Sequence, residues 1–175
     1  MIQRYSSILV SASFALLAAC GGDDGGSTST PSAAFETSIE ASCQKAFDCM
    51  SSYDAAMHNG TAFADSYGTS VSACVAQTRA IIDQFLGADY LDKLDASASA
   101  GRIDFDSADA QTCLDATTGQ TCDQFFDQNG ATFTPPAACD TALVGTVATG
   151  GACTIDEDCA TEGDDCDPAT MTCAQ

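Results

Sequence analysis

Apolar positions are spaced unevenly along the chain, and the spacing divides it. A mainly apolar stretch, Ile8 to Ala18, is followed by one from Gly21 to Ala34 with no large apolar residue. From Phe35 the periodicity becomes helical. Phe35, Ile39, Cys43, Phe47 and Met50 recur at intervals of four or three and line one helix face, with Ser51-Ser52 marking its end. Val71, Cys74, Val75, Thr78, Ile81, Ile82, Phe85 and Leu86 form the clearest stripe, and Gly87 is a natural stop. Between these two, His58-Asn59-Gly60 and Tyr67-Gly68 read as turns. Ala88 to Ala100 predicts a third helix with Leu91 and Leu94 inward and Gly101 behind it. Ile103 and Phe105 alternate with polar neighbours, and Asp106 caps a short helix carrying Cys113 and Leu114. A last turn or two around Cys122, Phe125 and Phe126 closes this part, and the apolar stripes are read as core. The expected fold class is mainly α: a small disulfide-stabilised helical module over 35–138, then a short, irregular disulfide-rich module over 139–175.

Composition sharpens this. Twenty-five acidic residues stand against five basic ones in 175, a net charge of −20. Such a surface repels a phosphate backbone, so no nucleic-acid partner is expected. Residues 139–175 hold eight of the acids and no basic residue, so this segment is expected to be defined by disulfides rather than by apolar burial. Chemistry is constrained by what is scarce. His58 is the single histidine and sits in an Asn-Gly turn without a GxSxG nucleophile motif, so it reads as an exposed turn residue. The Asn59-Gly60-Thr61 sequon reads as the same turn. P-loop, GxGxxG and HExxH motifs do not occur.

The N-terminus resembles the signal of bacterial lipoproteins. Arg4, the 11-residue apolar run and Leu17-Ala18-Ala19-Cys20 follow the order of that family's lipobox, and the run is too short to span a bilayer. The resemblance implies a signal peptide over 1–19 and an acylated Cys20 as the first residue of the mature chain, held to the membrane by several acyl chains. Gly21 stands where Asp would signal retention in the inner membrane, so an outer-membrane location is expected, facing the cell surface or the periplasm. Residues 20–34 read as a Gly/Ser/Thr tether of roughly 20 Å reach.

Without Cys20 ten cysteines remain: Cys43, Cys49, Cys74, Cys113, Cys122, Cys139, Cys153, Cys159, Cys166 and Cys173. An even number in an exported chain reads as five disulfides, and the lack of any CxxC speaks against zinc ligation and thiol redox chemistry. If the first six and the last four pair within their own groups, fifteen and three connectivities remain. Cys49 with Cys74, joining the first two long helices, is one expectation among the fifteen. The spacing in GACTIDEDCATEGDDCDPATMTCA resembles Dickkopf N-terminal and EB-type cysteine-rich repeats, and that resemblance implies Cys153 with Cys166 and Cys159 with Cys173. Together with GRIDFDSADAQTCLDA, the stretch also resembles a group of Cys-rich lipoproteins of Gram-negative bacteria, which implies no activity.

Acidic clusters offer the remaining chemistry. Asp104, Asp106 and Asp109 form one; Asp156, Glu157, Asp158, Glu162, Asp164, Asp165 and Asp167 form another. Neither follows the EF-hand order, so weak surface association of Ca2+ is expected rather than a metal site, and the C-terminal acids read as a solvated surface. No catalytic residue and no cofactor is assigned. The expected role is non-enzymatic, binding or structural, with the membrane and a protein or envelope component as partners. The alternative is a secreted carboxylate-using hydrolase or a hydrolase inhibitor, against which stands the absence of Trp for stacking sugars. Five bridges require the oxidised chain to weigh about 10 Da less than the fully reduced one, which intact mass spectrometry under non-reducing and reducing conditions will read directly.

Overall fold

Thr30 and Pro31 set where the first helix begins. The Thr30 hydroxyl accepts a hydrogen bond from the Ala33 amide, and Pro31 occupies the first turn, where its missing N–H costs nothing. In the computed structural model, which describes residues 30–127 and 134–175, the helix α1 therefore spans Pro31–Asp48. The body starts four residues before the expected Phe35, and Ala34, assigned above to the tether, is buried. Cys20 and the rest of residues 1–29 lie outside the described residues. The chain leaves α1 through a 3₁₀ turn at Met50–Ser52, so Met50 is exposed instead of completing the apolar stripe.

The next elements follow the sequence pattern closely. A short helix α2, Phe63–Tyr67, falls in the stretch read as turns. Helix α3 spans Val71–Leu86, capped by Ser70 and stopped at Gly87, whose φ of 96° is in the left-handed region. Helix α4, Tyr90–Ser99, leads through Gly101 into strand β1, Ile103–Phe105. Helix α5, Ser107–Thr118, starts at Asp106, whose carboxylate accepts from the Ala108 and Asp109 amides. Two short helices follow, α6 at Cys122–Phe125 and α7 at Ala138–Thr141. Strand β2, Leu143–Gly145, returns antiparallel to β1 with Ile103 opposite Gly145 and Phe105 opposite Leu143. After a 3₁₀ turn at Asp156–Asp158, β3 (Asp165–Asp167) and β4 (Thr172–Ala174) make a second antiparallel pair.

Helix α1 is the centre of the packing, lying against α3, α4 and α5. Its buried residues Ala34, Ser38, Ile39, Cys43 and Ala46 form one stripe, as 3.6-residue periodicity requires. One core cluster joins Ile39, Cys43 and Cys74 to Phe35, Phe47, Val75 and Ile82. Another joins Tyr90, Leu94 and Ile103 to Ile155. Ile155 belongs to the acidic segment, so that segment does contribute apolar burial, contrary to the expectation from its composition. The two regions are further joined by the β1–β2 pair, and a parallel bridge between Val147 and Cys159 closes the acidic segment on itself. At Gly145 a Cβ would lie 2.3 Å from the Cys159 carbonyl oxygen, which no side chain tolerates, so glycine is required where the strand meets the cysteine-rich loop. The outer end of α3 departs from the core reading: Ile81, Phe85 and Leu86 face solvent.

All ten described cysteines pair, the first six and the last four within their own groups. Cys43 bonds Cys74 between α1 and α3; Cys49 bonds Cys122, tying the end of α1 to the start of α6; Cys113 bonds Cys139. Cys153 bonds Cys166 and Cys159 bonds Cys173, the pairing the resemblance implies. The expected Cys49–Cys74 bridge does not form. Six residues separate Cys43 from Cys49, about 9 Å along a helix axis, and it is Cys43 that sits opposite Cys74 with a Cα separation of 5.8 Å.

The Cys49–Cys122 bridge closes a separation of 73 residues and Cys153–Cys166 one of 13. Chain-entropy arguments then predict a loss of about 4 kcal/mol for Cys49→Ala with Cys122→Ala and about 3 kcal/mol for Cys153→Ala with Cys166→Ala, to be measured by urea unfolding at fixed pH.

Candidate functional site

The densest polar constellation lies where the acidic segment meets the helical body. Gly101, with φ of 71°, turns the chain out of α4 and presents Arg102 toward the loop that precedes the Asp156–Asp158 turn. The Arg102 Nε donates to Asp158 Oδ2 at 2.9 Å, while its Nη2 donates to Ser97 Oγ at 3.0 Å and to Thr154 Oγ1 at 3.1 Å. The same Asp158 oxygen accepts from the Thr154 amide at 2.7 Å and from the Thr154 hydroxyl at 3.1 Å. Asp158 is fully buried and its other oxygen, Oδ1, has no hydrogen-bond partner among the described residues. Burial alone would raise this carboxyl's pKa. The hydrogen bonds from Ser97, Thr154 and Arg102 outweigh that effect and hold it below the ordinary value.

Next to it the signs reverse. The Tyr90 hydroxyl donates to Glu157 Oε1 at 2.7 Å. Burial pushes the Glu157 carboxyl up, against the opposing pull of that hydrogen bond, and pushes the Tyr90 phenol up further, with Glu157 adding to it. The pair joins the first turn of α4 to the acidic loop, with the proton resting on the phenol, which donates to the carboxylate.

The expected solvated acidic surface is thus corrected in part. Asp158 and Asp164 are buried, and Glu157 is half-buried. Asp164 accepts from the Thr149 hydroxyl at 2.5 Å through Oδ2, while its Oδ1 has no hydrogen-bond partner among the described residues. Asp156 accepts from the Cys166 amide and Asp167 caps the turn before β4 through the Ala169 amide. Glu162 and Asp165 are exposed, as read. In the first cluster Asp106 caps α5, Asp109 accepts from the Thr141 hydroxyl at 2.6 Å, and Asp104 is exposed on β1. The one grouping of metal-ligand types found among the described residues is Cys153, Cys159 and Cys173, and each of these sulfurs is already bonded in a disulfide.

His58 is not the exposed turn histidine expected from its neighbours. Its ring stacks on Tyr53 at 4.3 Å between centroids and meets Phe126 edge-on. Tyr53, Phe63, Tyr67 and Phe126 gather in edge-to-face contacts, with Phe63 stacked on Tyr67, and make a small, half-buried aromatic cluster under the loop. Burial, with Tyr53 adding to it, raises the Tyr67 phenol. The turn itself is as read: Asn59 and Gly60 take φ of 55° and 80°.

Sequence reasoning missed Arg102, Ser97 and Thr154 as a set. The available signal was weak: Arg102 is the lone cation between Lys93 and the end of the chain. No helix among the described residues is long and apolar enough to cross a membrane. Comparison of the chain with protein-family models, with curated proteins and with solved structures returns no match.

Replacing the buried carboxylate by Asp158→Asn leaves Arg102 facing a neutral group, with an expected loss of about 2–4 kcal/mol at pH 7 by urea unfolding. Because folding lowers this pKa, the carboxylate's contribution is complete above the unfolded value of 3.8 and is lost as pH falls through the folded value. The gap between native chain and variant therefore narrows below pH 3.8. An unchanged gap at acid pH would show that the negative charge is not what Arg102 needs.

Proposed function

We propose that this chain is a lipid-anchored lipoprotein of the Gram-negative outer membrane whose disulfide-held helical body serves a binding or structural role in the envelope. The observation that carries this reading is a count. Ten of the eleven cysteines are consumed in five intramolecular disulfides, and Cys20, the one left over, ends the Leu17-Ala18-Ala19-Cys20 motif. A thiol at the end of an export signal, with no intramolecular cysteine left to pair with, suits lipid attachment. Five disulfides suit the oxidising space beyond the inner membrane. Gly21 rather than Asp after Cys20 supports the outer membrane.

The non-catalytic part of the reading is supported by what the acidic residues do. Asp106, Asp109, Asp156, Glu157, Asp158, Asp164 and Asp167 are engaged in caps, turns and cross-links between segments. These carboxylates hold the fold together, which is a sufficient reason for their presence.

Expression in a Gram-negative host fed labelled palmitate tests the proposal. The native chain is expected to carry label and to sediment with outer membranes, whereas Cys20→Ser carries none and remains unprocessed. A native chain without label, or a Cys20→Ser chain that retains it, would refute the anchor.

A further inference from the structure

Helices α1 and α3 run antiparallel in a register fixed by two links, the Cys43–Cys74 disulfide and the Arg79–Glu36 ion pair. Continued one turn further, that register sets Pro31 level with the last turn of α3. At this end Ile81, Phe85 and Leu86 are 41%, 61% and 47% exposed. Ile81 and Phe85 are four residues apart and share a face, while Ile82 turns the other way and packs with Phe35 against the core. The helix thus carries a second apolar face that the body does not cover.

The same end is where the chain departs toward Cys20. Ten residues separate Cys20 from Thr30, a span of at most about 35 Å when fully extended. An acyl group on Cys20 confines this end to the neighbourhood of the bilayer, where a second, weak contact becomes effectively intramolecular. We propose that the exposed end of α3, through Ile81, Phe85 and Leu86, rests on the lipid surface to which Cys20 ties the chain. The proposal depends on the anchored reading above and adds an orientation to it. Asp83 and Asp89 flank the patch, Asp89 paired with Lys93, so anionic headgroups are disfavoured and the surface is a zwitterionic one, met by apolar insertion at headgroup depth.

The chain has no tryptophan, so Phe85→Trp introduces a single indole at the centre of the patch, excited selectively at the red edge beyond tyrosine absorption. Met57→Trp provides a control in an equally exposed position (65%) beyond the opposite end of the α1–α3 pair. Each variant is purified as the full acylated chain and reconstituted on phosphatidylcholine/phosphatidylethanolamine vesicles, with and without dibrominated phosphatidylcholine. Flotation is scored separately from fluorescence. The expected result is that both variants float, and that brominated lipid lowers the emission of the Phe85→Trp indole roughly twofold while leaving that of Met57→Trp unchanged. Flotation with equal, negligible quenching of both indoles overturns the docking while leaving the anchor intact. A blue-shifted but unquenched Phe85→Trp indole means that a second copy of the chain or another protein covers the patch, and overturns it too. Failure to float removes the anchor and the docking together.

Discussion

The buried contact between Arg102 and Asp158 is the constraint on which the architecture turns. A guanidinium reaching from the turn after α4 meets a carboxylate whose own loop is cross-linked by two disulfides. Through Ser97 and Thr154 the same group ties both sides of the junction. Taking this carboxylate out of water is costly, and only the convergence of donors on one oxygen offsets the penalty. The position of the 3₁₀ turn follows from it, and with that turn the placement of Ile155 over Tyr90, Leu94 and Ile103.

Charge imbalance gives this contact its weight. In a chain with a net charge of −20, two of the four described cations, Arg79 and Arg102, join separate elements. Arg79 bridges α3 to α1, Lys93 pairs within α4 with Asp89, and Arg102 joins the two regions. Self-repulsion of the remaining acids opposes compaction. The five disulfides, spread from α1 to β4, hold the chain against it, and most carboxylates with internal work accept from backbone amides or hydroxyls rather than from a cation.

What the sequence revealed follows the range of each interaction. Helix α3, strand β1 and helix α5 were legible because periodicity, the Asp106 cap and the Gly87 stop are all local signals. Thr30-Pro31 carried an equally local signal for the start of α1, obscured by the Gly/Ser/Thr composition before it. The partner of Cys49 was illegible because it lies 73 residues away and depends on how α6 packs. Asp158 was hidden for a different reason: in an acidic run, nothing local distinguishes the one carboxylate that folding buries from neighbours that stay in water. The solvent-facing end of α3 was misread because a broad apolar stripe does not say which of its edges the body covers.

Ile155 is set between Cys153 and Cys159, two half-cystines of different bridges. That arrangement makes oxidation a step in building the apolar interior, beyond stapling a finished tail. While those thiols are reduced, only the polar contacts of Asp158 and Glu157 hold the loop down, and each opening of it would uncover Tyr90, Leu94 and Ile103 as a greasy cleft. A chain delayed in a reducing compartment would display this cleft to chaperones and proteases. Closure of the cleft reports that the last cysteines have found their partners, so the fold carries its own sign of having reached an oxidising space.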